Sequence, residues 1–466
     1  MKVLLVRPDR SGMHLDTRDH LKRFGDLHQP LGLLYLAAML AEEKITVNIC
    51  DEIVGDNFSE MVNIFNPDIV GITVTSPLMS RVVELTAIAK KNGIRVIIGG
   101  PHVSALPRES LKESGADAAV IGEGEHTIVE LCNKNDWSGI KGIAYRKNGE
   151  LILNLLREPI ENLDMLPFPA RHILDFSKYH SDVEFGLPLK KNEKLMRILS
   201  SRGCPHQCTY CASHCVFGRK LRLRSARNIL VEVEEARQRW GVNVFMFADD
   251  AFTSNSSRLR EISQLIIDKR LDIRWGCFSR VGLTPEIMQL MKKSGCRIIG
   301  FGVETGSPDI LKAIKKNIKI KEVIDTFKNA KKLDIKTKAF FIVGLPGEGE
   351  KEFKESMELA CKVNPTYLWA SIFVPLPGSS IYKEMDESEK IHIDWGKSSF
   401  FYTKDRVLMN RHRRLIRRFY LRPIYILNML RYFSPEDLIY FLRMLKTYFI
   451  IRLQENRFMR KLNHNL

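Results

Sequence analysis

The 466-residue sequence has no internal repeat with a period of about 20 to 50 residues and no low-complexity segment, which excludes solenoids, propellers and disordered arrays. No apolar leader is expected either. The opening MKVLLVRPDR breaks its apolar run at Arg7-Pro8, too short for a signal peptide or a membrane span, so the expected location is the cytoplasm. Cysteine is sparse, nine residues in all, and in a non-secreted chain that argues against a disulfide framework. Four of the nine nevertheless cluster between Cys204 and Cys215, which points to metal or redox chemistry. Acidic residues are in deficit, giving a net charge of +17, but residues 401–466 hold fifteen Lys and Arg against four Asp and Glu. That tail carries +11 and leaves +6 for the first 400 residues, which does not mark the body of the chain as a nucleic-acid binder. Hydrophobic residues at 44% and charged residues at 27% suit a globular protein, and the length implies two domains with a tail.

From residue 2 to about 134, β-branched runs (KVLLV, ITVNI, DIVGITV, RVIIGG, DAAVIG) alternate with helical patterns, among them LGLLYLAAMLAEE and helices near 58–65 and 78–91. The rhythm predicts a doubly wound parallel sheet over residues 1–137, with ligands bound beyond the carboxyl ends of its strands. Residues 138–195 read as a connector containing a hairpin at Asn148-Gly149. A second alternation over 196–400 offers six strands, from MRILSS to LWASIFV, with helices at 226–240, 256–269, 285–294, 309–333 and 350–363. This predicts a partial (β/α)6 barrel whose active face lies at the strand carboxyl ends. Residues 401–466 form a basic helical tail, in which Ser434-Pro435-Glu436-Asp437 starts a helix with Leu438, Phe441, Leu442, Leu445, Phe449 and Leu453 on one face. Such a helix suits either the headgroup region of an anionic membrane or the open side of the barrel.

Directly after the first barrel strand stands SSRGCPHQCTYC, which sets Cys204, Cys208 and Cys211 at C-x-x-x-C-x-x-C spacing. Thiolates are soft anionic ligands, and three on one tight loop can hold three irons of a cubane while the fourth iron stays open to a chelating substrate. A structural zinc site would use the same residues with Cys215 as the fourth ligand, although zinc favours two separated pairs. Cys50, Cys132, Cys277, Cys296 and Cys361 fall in strand or helix patterns and read as core.

This loop resembles that of the radical S-adenosylmethionine superfamily, and the resemblance extends across the barrel. It implies a 4Fe-4S cluster on Cys204, Cys208 and Cys211, S-adenosylmethionine as co-substrate, and an external flavodoxin- or ferredoxin-type electron donor. Tyr210 matches the aromatic residue before the third cysteine. Asp249 and Asp250 in FADDAFT match the segment that contacts the methionyl amino group, although acids there also cap helices. Arg280 and Glu304 match positions that face the methionyl carboxylate and the ribose. FFIVGLPGE resembles the adenine-packing element: Ile342 and Gly344 match, Phe340 replaces its first glycine, and the acid is displaced to Glu348.

The segments PLGLLYLAAML, VGITV, IGGPHVS and VIGEGEHTIVEL resemble those of cobalamin-binding domains fused to radical enzymes, a family that includes hopanoid and phosphonate methylases and the anaerobic protoporphyrin ester cyclase. No D-x-H-x-x-G element occurs, so the resemblance implies cobalamin without a protein His on its lower face. Gly99, Gly100, Gly122 and Gly124 would let the backbone approach the corrin, with His102 and Glu123 as further candidates. The implied function is methyl transfer to an unactivated carbon of a small-molecule or lipid-like substrate. A radical oxidative cyclisation uses the same parts. tRNA methylthiolation would need three more cluster cysteines in the first domain, where only Cys50 and Cys132 stand. A cobalamin or redox sensor is the non-enzymatic reading.

Overall fold

The computed structural model describes residues 1–9, 28–179, 187, 189–190, 193–391, 393, 403, 405–432 and the isolated positions 435, 438 and 442. In the first domain, β1 (Lys2–Arg7), β2 (Thr46–Asp51), β3 (Ile69–Thr73), β4 (Arg95–Gly99) and β5 (Ala118–Val120) run parallel in the order β2-β1-β3-β4-β5. Alternate side chains of β1 serve opposite faces. Val3 and Leu5 join Leu34, Ala37 and Leu131 on one side, while Leu4 and Val6 join Val62, Val82 and Leu85 on the other. Helices cover both faces, which is why KVLLV is apolar throughout instead of alternating. Burying one such leucine contributes about 1.5 to 3 kcal/mol, so these runs hold the domain together.

The hairpin at Asn148-Gly149 forms, with both residues left-handed (φ 51° and 84°), and links β6 (Ile143–Lys147) to β7 (Glu150–Leu153). It adds antiparallel to β5, so the sheet runs on into the segment read as a connector.

The second domain starts with β8 (Leu195–Ile198), followed by a two-residue ladder of β9 (Ser201–Arg202) and β10 (Arg222–Leu223) that flanks the cysteine loop. Then come β11 (Val244–Phe247), β12 (Arg274–Ser279), β13 (Cys296–Glu304), β14 (Lys336–Val343) and β15 (Tyr367–Ile372). They make an open six-stranded parallel sheet in the order β8-β11-β12-β13-β14-β15, the partial barrel expected from the sequence.

Side-chain caps start the intervening helices: Ser225 accepts from the Asn228 N–H, Asn255 from Arg258 and Thr284 from Ile287, opening Ala226–Trp240, Ser256–Asp268 and Pro285–Lys293. The single helix expected over 309–333 is instead two, Pro308–Ala313 and Ile320–Lys332. Lys315 and Asn317 between them take left-handed φ of 52° and 50°, which no continuous helix allows.

The tail's helices are Arg406–Tyr420, started by Asp405 accepting from the N–H groups of Val407 and Leu408, and Pro423–Tyr432. The first lies against β15: His412 Nε2 is 3.0 Å from the Ala370 carbonyl, and the Tyr425 hydroxyl from the second donates to the Thr366 carbonyl at 2.8 Å. The helix expected to start at Ser434 lies outside the described residues. Among the described residues no helix is long and apolar enough to cross a membrane.

Candidate functional site

The cysteine loop leaves β9 at Gly203, whose φ of +86° and position admit no side chain, since a Cβ there would stand 2.2 Å from the Lys220 carbonyl oxygen. A turn closes Cys208 to Cys211 (N to O, 3.2 Å), and the Thr209 N–H donates to the Ile314 carbonyl, fastening the loop across the barrel mouth. All three cysteines are unbridged, Cys208 being buried and Cys204 and Cys211 half-buried.

Among the described residues no three His, Cys, Asp or Glu side chains converge on a single point where one ion could sit. Three thiols on one tight loop are the donor set of a 4Fe-4S cubane that leaves one iron open. The surroundings fit an anionic cluster as well. Arg280 Nη1 lies 3.8 Å from the Cys208 sulfur, and burial, then Arg280 and Lys316, push the loop's His206 down to about 4. Cys215 turns elsewhere: its sulfur fills the space beside Gly378, where a Cβ would come within 2.2 Å. Cys50, Cys132, Cys277 and Cys296 are buried, as expected of core residues, and Cys361 is half-buried.

Two expected contacts of S-adenosylmethionine separate. Asp249 is fully buried at the end of β11, and its Oδ1 accepts from the Ser200 N–H at 3.0 Å, the Ser200 hydroxyl at 2.9 Å and the Ser201 hydroxyl. Oδ1 is thus committed to the segment that leads into the cysteine loop, while the buried Oδ2 makes no hydrogen bond among the described residues. Asp250, next along, is open to solvent within a recess where lost hydration, then the Asp249 charge, push its carboxyl up to about 6.

Arg280 is engaged with the protein: besides Cys208, its Nη2 donates to the carbonyls of Lys316 and Asn317. Glu304, buried and left-handed at φ 69°, is ion-paired to Lys316 at 2.6 Å. Non-glycine residues held there store strain and mark sites that the surroundings enforce. Lys316 Nζ also lies 3.4 Å from the Tyr210 hydroxyl, whose ionisation is disfavoured by burial and then by Glu304. Gly302 makes this possible, since a Cβ there would stand 2.6 Å from Glu304 Oε1 and 2.7 Å from Lys316 Nζ.

Sequence reasoning missed Lys316. The break at Lys315–Asn317 that aims it inward lies within a stretch that reads as one helix in the sequence.

Tyr210 and Ile342 meet in one apolar cluster with Ile310, Ile314, Leu345 and Phe373. Phe340, where the resembling element has glycine, packs edge-on against Phe278 across the barrel interior, with ring centroids 5.6 Å apart. Gly344 donates its N–H to Glu348 Oε1 at 2.9 Å, and Leu408 of the tail occupies the space beside it. The displaced Glu348 therefore caps this turn from below, with burial pushing its carboxyl up to about 7.

At the first domain's strand ends, a Cβ on Gly100 (φ +106°) would lie 3.0 Å from the Val74 carbonyl. Those on Gly99, Gly122 and Gly124 would face Val120, the Val216 carbonyl and Leu36. These glycines thus serve the close packing of the protein's own chain. His102 is buried, its Nδ1 2.9 Å from the Ser76 hydroxyl, and burial pushes it down to about 4, so it is a neutral loop tie. Glu123, the other candidate, is bound between two arginines of the second domain. Among the described residues of these loops, His102 is thus held within the protein by Ser76, and Glu123 by Arg202 and Arg222. Helix Pro101–Ala105 packs on helix His214–Phe217, so the two loop edges adjoin.

Residues 198–360 match the model of the radical SAM superfamily, and residues 18–132 match that of the B12-binding domain. An uncharacterized methyltransferase of Pyrococcus horikoshii is 34% identical over 91% of this chain and 93% of its own length. The anaerobic magnesium-protoporphyrin IX monomethyl ester cyclase of Rubrivivax gelatinosus is 27% identical over 80% of this chain and 68% of its own. Among solved structures, the radical S-adenosylmethionine methyltransferase TsrM of Kitasatospora setae, with cobalamin and a [4Fe-4S] cluster bound, aligns over 82% of this chain and 73% of its own. Its TM-score is 0.66 and its identity 16%, a likeness of fold.

Proposed function

The chain belongs to the radical S-adenosylmethionine enzymes that carry a B12-binding domain, and from that premise we propose that it transfers a methyl group to an unactivated carbon of a small organic substrate. One observation carries the reading: the strand-end loops of the first domain are packed directly on the cysteine loop of the second, so groups held by the two loops would share one space. Bound there, a 4Fe-4S cluster with S-adenosylmethionine would supply hydrogen-abstracting radical chemistry, and cobalamin would supply the methyl group.

Cys204, Cys208 and Cys211 hold the cluster, with the Arg280 guanidinium beside Cys208 balancing its charge. Lys316 offers an ammonium to the methionyl carboxylate, and Asp250 offers a carboxylate to the amino group from its recess. Glu304 holds Lys316 in place and faces the ribose. Tyr210 and Ile342 give the adenine an apolar wall. Gly99, Gly100, Gly122 and Gly124, closely packed on the protein's own chain, would keep the edge offered to a corrin free of side chains. An external flavodoxin- or ferredoxin-type protein supplies the electron.

Leu421, Ile424 and Leu427, exposed where the tail's two helices join beside the groove lined by Arg417 and Arg418, give an anionic membrane surface a place to dock, which suits a lipid-like substrate. The likeness to the cyclase of Rubrivivax gelatinosus favours a second reading, oxidative ring formation with the same parts.

The test is anaerobic reconstitution with cobalamin and methyl-labelled S-adenosylmethionine. Methyl transfer predicts label on the protein-bound cobalamin and then in product. Deoxyadenosine formation without label in product selects the cyclisation instead, and the absence of both leaves a sensor.

A further inference from the structure

The base of the cysteine loop is locked to the first domain by a buried four-charge clasp. Arg202 and Arg222 stand directly opposite each other on the β9–β10 ladder, one on each side of the loop that carries the three cysteines. Two like charges facing across a ladder repel unless something lies between them. That something is Glu123. Its Oε1 takes Arg202 Nη1 at 2.5 Å, and its Oε2 takes Arg222 Nη1 at 2.6 Å. Arg202 uses its second prong on Glu125 Oε1 at 2.5 Å. Arg222 also donates from Nη1 to the Ile160 carbonyl (2.6 Å) and from Nη2 to the Phe217 carbonyl (2.8 Å), while its buried Nε makes no hydrogen bond among the described residues. All four side chains are at most 7% exposed. Tyr35 and Phe217 close over the Arg202 guanidinium, each ring centroid 5.2 Å away.

Both partners sit next to chemistry. Glu123 and Glu125 alternate with Gly122 and Gly124 on the loop after β5, and Arg202 is separated from Cys204 only by Gly203. A fixed fork between planar guanidinium and carboxylate sets orientation as well as distance. We propose that Glu123 is a positioning residue: by joining both arms of the cysteine loop to the first domain's strand-end loop, it sets how the cluster faces the space shared with cobalamin. The inference rests on the reading that Cys204, Cys208 and Cys211 hold the cluster.

Full-length wild type and Glu123→Gln are reconstituted anaerobically and compared for iron per chain, electron paramagnetic resonance of the reduced protein with and without S-adenosylmethionine, and retained cobalamin. Wild type that binds no cluster would refute the underlying reading and not the clasp. With the cluster present, Glu123→Gln is expected to keep its fold and most of its iron, to lose the spectral shift caused by S-adenosylmethionine, and to retain less than about half the cobalamin. A wild-type spectrum and wild-type cobalamin content in the variant would overturn the proposal. Should Glu123→Gln not fold, Arg202→Lys decides. A lysine point charge cannot serve both acids at once, so the same two losses support the clasp, and wild-type values in that variant overturn it.

Discussion

The Tyr420 hydroxyl accepts a hydrogen bond from the Leu368 N–H at 3.0 Å and donates one to the Leu368 carbonyl at 2.9 Å, so a single phenol satisfies both free backbone groups of that residue on the edge of β15. With His412 on Ala370 and Tyr425 on Thr366, three side chains of the tail meet every second residue of the exposed strand edge. An open barrel has such an edge by construction, and an uncovered one invites pairing with another chain. The arginines of the tail take part as well: Arg411 donates to the Glu348 carbonyl, Arg414 pairs with Glu350, and Arg422 reaches the Cys361 carbonyl and Asn364. Part of the tail's positive charge is therefore structural.

Tyr420→Phe keeps the ring and removes both hydrogen bonds, leaving two buried backbone groups unpaired at about 1 to 3 kcal/mol each. The expected loss is about 2 to 6 kcal/mol, read by urea unfolding of the full chain. A change under about 0.5 kcal/mol would show that water replaces the phenol at this edge.

Cys208→Ala should leave the reconstituted protein without a stable four-iron cluster and without cleavage of S-adenosylmethionine, because two thiolates cannot hold three irons. Cys215→Ser should keep wild-type iron, since that sulfur packs beside Gly378. Iron and acid-labile sulfide assays decide both, and a Cys215→Ser protein depleted of iron would return Cys215 to the ligand set.

Glu348 makes stability depend on pH. Burial pushes its carboxyl from the usual 4.5 up to about 7 against the weaker pull of the Gly344 N–H and Arg411. Between those values the folded chain binds a proton that the unfolded chain releases, so stability is greatest below pH 4.5 from this group's standpoint and falls as pH rises to about 7. The gap corresponds to about 3 kcal/mol. Glu348→Gln should flatten the profile across that window, as measured by denaturant unfolding at a series of pH values. An unchanged slope would assign it to other groups.

What could be read from the sequence divides along physical lines. Strands such as KVLLV and NVFMFAD, and helices such as Ala226–Trp240, follow from local periodicity and caps, and the cysteine loop follows from spacing after a strand. The contacts of Asp249 and Glu123 do not, because each meets partners 48 to 99 residues away, Ser200 and Ser201 for one and Arg202 and Arg222 for the other. An acid beside a motif looks the same in sequence whether it meets a ligand or a strand. Leu408 beside Gly344 was hidden for a related reason, since nothing local says that a tail helix will return to cover the end of β14.

Lys316 offers the sharpest test of how the barrel mouth receives S-adenosylmethionine. Its ammonium is buried, held by Glu304 at 2.6 Å and close to Tyr210, and it arrives there through two left-handed residues that interrupt an otherwise helical stretch. Strain of that kind persists only where the surroundings enforce it, and a buried cation beside the cysteine loop is placed to meet a carboxylate. Removing the charge outright would leave Glu304 buried without its partner, at a cost of about 3 to 5 kcal/mol. The informative pair is therefore Lys316→Gln with Lys316→Arg, which keeps the charge. Iron content should stay at the wild-type level in both, because no cysteine changes. Affinity for S-adenosylmethionine, titrated by the shift it causes in the reduced-cluster spectrum, should fall at least about tenfold in Lys316→Gln, equivalent to about 1.4 kcal/mol, and by less in Lys316→Arg. Equal affinities in wild type and a folded Lys316→Gln protein would show that the ammonium serves Glu304 alone, and would return the methionyl carboxylate to Arg280.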